Sequence, residues 1–471
     1  MVTKAHHINI LADFRVRLRD EIQRNMVERS HSQLSFSEIV DIHQAKISNI
    51  YRDKASIEID ELDRITEAFD LPYGAFYGLY LGECLLSYKQ PGGHKWRVSE
   101  KRCSDFMVNC LMNDQREHFD ELTCYLLDYE HDYLNIFFEV AERLYESGQW
   151  EKALPLYSQI VPHVRLSKST SRYSAKSLFR LLEILTVHAT EWTMAQKLEI
   201  VYKLEVFSEN LPENYELDAY VALGKFYFNE ERWDKLEFYG EKLWRISEMN
   251  KSFYLRNLGY NQTNPLGKRP LVFYYGYGWL MKGVSAQKTG RYEDALYCID
   301  QYSDLSDFGL IRPHEVGEIQ KFKQWAIGNR FTVKILSGDF SILREYLDYL
   351  LEHPEEILAG LVTIFESSHM DDSLLESVLA EFEDKVSVFA TMTNSVELTW
   401  RYLFHSNRAK FYIRRESTYF AVEDLLAALQ LASVLRSFEY YQSCISLLVG
   451  LKMDANQEEK YIKLIKEATN A

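Results

Sequence analysis

The chain has 471 residues, 46 % hydrophobic and 26 % charged, with a formal net charge of −16 at pH 7. That is the composition of a folded protein of roughly two to four domains. It excludes a nucleic-acid coat built on bulk positive charge, because non-specific DNA affinity comes from neutralising phosphates. No apolar run reaches the ~18 residues of a membrane-spanning helix, so no membrane segment is expected.

Nine prolines and twenty glycines are few for this length, which favours long helices and an all-α fold. Residues 1–10 are expected to be loose, and they lack the apolar stretch of a secretory leader. A helix is expected over residues 11–29, with Leu11, Phe14, Leu18, Ile22 and Met26 on one face. Ser32 is a capping residue for a helix ending near Val40, in which Phe36 and Val40 share a face. Asp41-Ile42-His43 breaks that period and makes a tight turn. A second short helix follows over residues 44–51, with Ile47 and Ile50 inward and Gln44, Ala45, Lys46 and Asn49 outward near its start. Those side chains suit the major groove: Gln and Asn bond adenine, Lys reaches guanine, and Ala touches a thymine methyl. A helix over residues 59–69, carrying Leu62, Ile65, Ala68 and Phe69, closes the core.

This segment resembles the Xre/Cro/phage-repressor family of helix-turn-helix domains. The family's opening pair falls on Ser32-Gln33, its core positions on Phe36 and Val40, its isoleucine-serine signature on Ile47-Ser48, and its closing apolar pair on Ala68-Phe69. The resemblance implies phosphate contacts from Gln33, Arg52 and Lys54. It places His43, Gln44, Ala45, Lys46 and Asn49 toward base edges. Two positions where the family often carries glycine are acids here, Asp41 and Asp53, which favour the left-handed backbone less and repel DNA slightly.

Gln90-Pro91-Gly92-Gly93 reads as the chain's clearest break. It sets the expected organisation: a DNA-binding domain over residues 1–88, a linker over 89–100 and a helical-repeat domain over 101–471. In the repeat region, small residues alternate with aromatics around short breaks. Ala141, Gly148, Trp150, Ala153 and Tyr157 make one copy; Gly224, Tyr227, Trp233 and Leu236 a second; Gly283, Ala286, Gly290, Tyr292 and Ala295 a third. Weaker copies centre on Gly338-Phe340 and on residues 409–426. The pattern resembles the tetratricopeptide repeat, a helix pair of about 34 residues, and implies a right-handed α-solenoid.

The concave face of a solenoid binds extended peptides. Asn329-Arg330 and Asn407-Arg408 hold equivalent places before their turns, and an asparagine suits a peptide amide while an arginine suits a carboxylate. Arg415 lies in the same basic stretch, so Asn329, Arg330, Asn407, Arg408 and Arg415 are the expected peptide contacts. Lys168, Arg172, Lys176 and Arg180 recur every fourth residue and read either as a solvated basic stripe or as a face for a peptide carboxylate, an acidic partner or DNA backbone. Six cysteines without a CxxC pair suggest reduced thiols in the cytoplasm. No metalloprotease, nucleophile-elbow or phosphate-loop motif occurs, so neither catalysis, a cofactor nor a metal is expected.

The whole architecture resembles the RNPP group of peptide-responsive bacterial regulators. That resemblance implies a homodimer on a palindromic double-stranded operator, controlled by a short signalling peptide. The apolar segments 422–435 and 440–451 are the expected dimer surface. The alternatives are a solenoid that docks a protein partner and one that serves only as a dimerisation scaffold.

Overall fold

The chain's long breaker-free runs are helical in a computed structural model. It describes residues 4–90, 93–129, 133–163, 168–187, 192–208, 211, 213–257, 266–308, 313–367, 370–386, 389, 391, 395–435 and 437–470. Those residues form 23 α-helices and one two-stranded antiparallel hairpin. The fold is therefore helical as expected, with a small β element that the helical patterning concealed. No helix among the described residues is long and apolar enough to cross a membrane.

The chain divides into two units, residues 1–184 with 198–211, and residues 185–197 with 212–471. The first unit opens with α1 (Lys4–Glu28), which starts ahead of the expected Leu11. Its Leu18, Ile22 and Met26 are buried as the spacing predicts. Then come α2 (Gln33–Val40), α3 (Gln44–Tyr51), α4 (Ile59–Ala68) and α5 (Tyr77–Tyr80). Phe36 stacks on Phe69 at 5.1 Å, and Phe76 meets Phe69 edge-on, so three aromatics tie α2 to the end of α4.

The expected linker is not one. Residues 85–98 form β1 (Leu85–Gln90) and β2 (Gly93–Val98), paired from Leu85↔Val98 to Gln90↔Gly93. Pro91 and Gly92 lie outside the described residues. Proline and glycine mark a tight turn as readily as a chain break, and the flanking sequence decided for a hairpin. The next helix, α6 (Glu100–Met112), packs directly on the helices before the hairpin. Tyr77 meets Phe106 edge-on at 5.3 Å, and Asn109 donates to Asp63 on α4 at 2.9 Å. Residues 1–88 thus belong to the same unit as α6, and the expected boundary at 89–100 divides nothing. The unit continues with α7 (Arg116–Tyr129), α8 (Tyr133–Glu146) and α9 (Trp150–Ile160). Beyond these, α10 (Lys168–Val187) and α11 (Met194–Phe207) straddle the division.

The second unit contains α12 (Glu213–Asn229), α13 (Trp233–Asn257), α14 (Leu271–Lys288), α15 (Tyr292–Ser303), α16 (Pro313–Leu336) and α17 (Leu343–Glu352). After these come α18 (Ile357–Glu366), α19 (Asp372–Val386), α20 (Ser395–Arg414), α21 (Thr418–Val434), α22 (Phe438–Leu448) and α23 (Ala455–Asn470). All five repeat copies read from the sequence fall on tight helix-to-helix turns with one geometry. The turn residue is left-handed at Gly148, Glu231, Gly290, Gly338 and Glu416, with φ of 79°, 52°, 73°, 88° and 55°. The next residue's N–H bonds the carbonyl five residues back, as from Gln149 to Leu144 and from Ser417 to Tyr412. This is the Schellman ending, which satisfies the last free carbonyls of a helix and reverses the chain.

Between turns, small residues let helices approach. A Cβ on Gly240 of α13 would lie 2.8 Å from the carbonyl of Gly278 on α14, and the reverse holds equally. One segment expected at a dimer surface is interior instead: Val422, Leu425, Leu426, Leu429 and Ala432 of α21 are all buried within their own unit. A helix apolar on most faces is a core helix before it is an interface.

Candidate nucleic-acid interface

The α2–turn–α3 segment folds for local reasons. Ser32 Oγ accepts the Ser35 N–H at 3.1 Å and starts α2. Asp41 ends it in the left-handed region, φ 50° and ψ 48°. His43 then caps α3: its Nδ1 accepts the Ala45 N–H at 3.2 Å. Ile42, Ile47 and Ile50 are buried, which fixes the rotation of α3. Gln44, Ala45 and Asn49 are exposed and Ser48 is half-exposed. A shallow groove of about 690 Å3 between α2 and α3 gathers Gln33, His43, Gln44, Ala45 and Ser48. Of the expected contacts, Lys46, Asn49, Arg52 and Lys54 lie outside this groove. Asn49 remains on the open face of α3, and Arg52 and Lys54 are exposed just past its end.

The acids that were expected to repel DNA each have an arginine of their own chain beside them. Asp53 accepts Arg15 Nε at 2.9 Å, with Arg19 Nη2 at 3.2 Å. The backbone carbonyl of Asp41 accepts Arg64 Nη1 at 2.9 Å, and its carboxylate lies 3.5 Å from the same atom. Lys46 departs from expectation: its ammonium turns away from the outer face to the Glu61 carboxylate on α4. Arg52 and Lys54, both exposed just past α3, make no ion pair among the described residues.

Sequence reading missed Arg19. It is 5 % exposed and donates to the carbonyls of Arg15, Ile50 and Ala55 and to the fully buried Glu83 carboxylate. It therefore pins the C-terminal end of α3 against α1. The signal was present only as one arginine on the apolar side of α1, next to Leu18 and Ile22.

The expected peptide contacts are scattered and mostly committed. Asn329 Nδ2 donates to the Tyr302 hydroxyl at 2.9 Å, and Arg330 pairs with Asp300 at 2.7 Å. Arg408 donates twice to the buried Asp424, at 2.7 and 2.6 Å, and His405 meets the same carboxylate at 2.8 Å. Burial works against the Arg408 charge, but the bonds to Asp424 outweigh it and hold its pKa above the usual value. Arg415 pairs with Glu376 at 2.8 Å. Arg408 and Arg415 do share a groove of about 350 Å3 between α19 and α20, floored by Leu379, Phe411 and Tyr412; Asn329, Arg330 and Asn407 do not line it. The basic stripe on α10 also changes character. Arg180 is 4 % exposed and bonds Glu142 and Glu183, while the side chains of Lys168 and Arg172 lie outside the described residues.

Against protein-family models, curated proteins and solved structures, the chain has no match.

Proposed function

We propose that the chain is a sequence-specific DNA-binding transcriptional regulator. Its reading head is an Xre-type helix-turn-helix that rests on α6, and a tetratricopeptide-like right-handed solenoid follows. The observation that carries this reading is α3: an eight-residue helix locked by Ile47 and Ile50, presenting Ala45, Ser48 and Asn49 outward with Gln44 at its start. Arg52 and Lys54 follow where a phosphate backbone would pass. A short helix with hydrogen-bonding side chains at its start and cations at its end matches the geometry of major-groove docking. The protein acts in the cytoplasm as a homodimer on a palindromic operator. A short signalling peptide seated in the α19–α20 groove controls that dimer.

Selection from a random duplex library by wild type and by Asn49→Ala tests the DNA reading. Loss of preference at one base pair per half-site in the variant supports it, at about 1–3 kcal/mol of discrimination. Identical selection by both proteins removes Asn49, and with it the assigned face of α3, from the reading.

One observation favours a second reading of the solenoid. Arg330, Arg408 and Arg415 are each already paired with an acid of their own chain. A solenoid whose arginines are internally satisfied suits a scaffold or a protein-docking role. Copurification of a protein partner, or DNA affinity indifferent to peptides, decides for it.

A further inference from the structure

Lys46 is the third residue of α3, a position from which its side chain reaches either a guanine edge or the flanking phosphate. It does neither in the free protein, because its ammonium bonds Glu61 Oε1. Glu61 is 7 % exposed and held from behind: its Oε2 accepts the Glu58 N–H at 2.9 Å in the capping box of α4. A carboxylate fixed in that way and largely buried demands a cation, and Lys46 is the one it has. Three further cations of the same bundle, unlike Arg52 and Lys54, are similarly engaged. Arg15 and Arg19 face Asp53 and Glu83, and Arg64 faces Asp41 and Asp60.

We propose that Glu61 is a specificity-determining residue of the reading head: it withholds Lys46 from DNA, so base recognition falls to the neutral side chains Gln44, Ala45, Ser48 and Asn49. This rests on the DNA-binding reading above. Its consequence is low affinity for arbitrary DNA, together with a site preference set by amide groups, which favour adenine, rather than by a lysine, which favours guanine. Glu61 acts as a positioning residue and touches no base itself.

The test compares four full-length proteins: wild type, Glu61→Gln, Asp60→Asn and the double variant Lys46→Ala/Glu61→Gln. Glutamine keeps an oxygen for the Glu58 N–H and removes only the charge that holds Lys46. Asp60→Asn makes the same charge change one residue away, on an exposed side chain, and leaves both the Lys46 pair and the bonds of Arg64 to Asp41 in place. Affinity for a random-sequence duplex is measured against salt, and each protein selects sites from a random library. Glu61→Gln is expected to bind random duplex about three- to tenfold more tightly at low salt. Its log–log salt slope should steepen by about 0.9 per protomer, and guanine should enter the selected site. Asp60→Asn and the double variant are expected to follow wild type. Glu61→Gln indistinguishable from Asp60→Asn overturns the proposal.

A DNA-independent readout separates this failure from failure of the DNA reading. Acylation of Lys46, followed by mass spectrometry, should be slower than that of exposed Lys54 in wild type and should rise several-fold in Glu61→Gln. Equal rates at Lys46 in the two proteins mean that Glu61 holds nothing and overturn the proposal on that ground alone. Proteins that show the acylation difference yet bind no DNA overturn the DNA reading, and the specificity role with it.

Discussion

Arg19 carries its charge inside the first unit at 5 % exposure, surrounded by three carbonyls and the Glu83 carboxylate. Removing one partner of a buried pair leaves the other charge uncompensated, which costs about 3–5 kcal/mol. Arg19→Ala should therefore lower denaturant stability of the first unit by that amount. Arg19→Met with Glu83→Met should recover most of it; a single variant as stable as wild type would contradict the role. A second residue-scale prediction concerns pH. Burial favours the neutral form of Glu142, but the bonds from Arg180 and the Tyr157 hydroxyl prevail and hold its carboxyl below the usual range. Its folded pKa lies below its unfolded one, so its contribution is present at neutral pH and is lost as pH falls through the folded value. Glu142→Gln should remove that part of the acid dependence in a pH-resolved unfolding series. The sequence displayed the outward face of α3 well, because Ile47 and Ile50 fix the rotation of so short a helix. It could not display Lys46–Glu61, since which acid a lysine meets depends on how α4 crosses α3.

Among the elements, the helix turns were the most legible, because a left-handed turn residue and a following aromatic leave a recurrent mark. Two of the five turns place glutamate where glycine is preferred, Glu231 at φ 52° and Glu416 at φ 55°. A side chain there costs roughly 1–2 kcal/mol, partly offset by the entropy that glycine loses on folding. Glu416→Gly should raise stability by about 0.5–1 kcal/mol in a denaturant titration, whereas Glu416→Val should lower it. Gly240 of α13 presents the opposite case. A methyl group there would press on the Gly278 carbonyl, which is backbone and cannot rotate away. Gly240→Ala should destabilise the second unit by about 1–3 kcal/mol. The hairpin was not legible, because Pro-Gly-Gly signals a turn and a break alike. Nor was the burial of α21, since an apolar helix reads the same whether it packs on its own chain or on a second copy.

At the scale of the whole molecule, the net charge of −16 and the internal pairing of most head cations give one picture. Charge near the N-terminal helices is used mainly to hold them together, so a DNA-binding role would draw on few free cations. A dimer offering Arg52 and Lys54 from each protomer neutralises about four phosphates, so log affinity should fall with log salt at a slope near −3 to −4. A much steeper slope would mean that further cations reach the DNA. The sequence placed a border at the hairpin, whereas the chain divides near residues 184–212, so the first helix-turn copy shares a unit with α1–α5. Tyr77, Asp63 and Asn109 join α4 and α5 to α6 within one unit. The ligand was the least legible part, because arginines that look free along a sequence find acids in three dimensions.

The most direct measurement is selection of genomic DNA fragments by the full-length protein, beside a variant with Gln44 and Asn49 both changed to Ala. Wild type should enrich a few two-fold-symmetric sites whose half-sites lie about one helical turn apart, and the variant should enrich none of them. Enrichment of the same sites by both proteins, or of none by wild type with or without candidate peptides, would contradict the DNA reading.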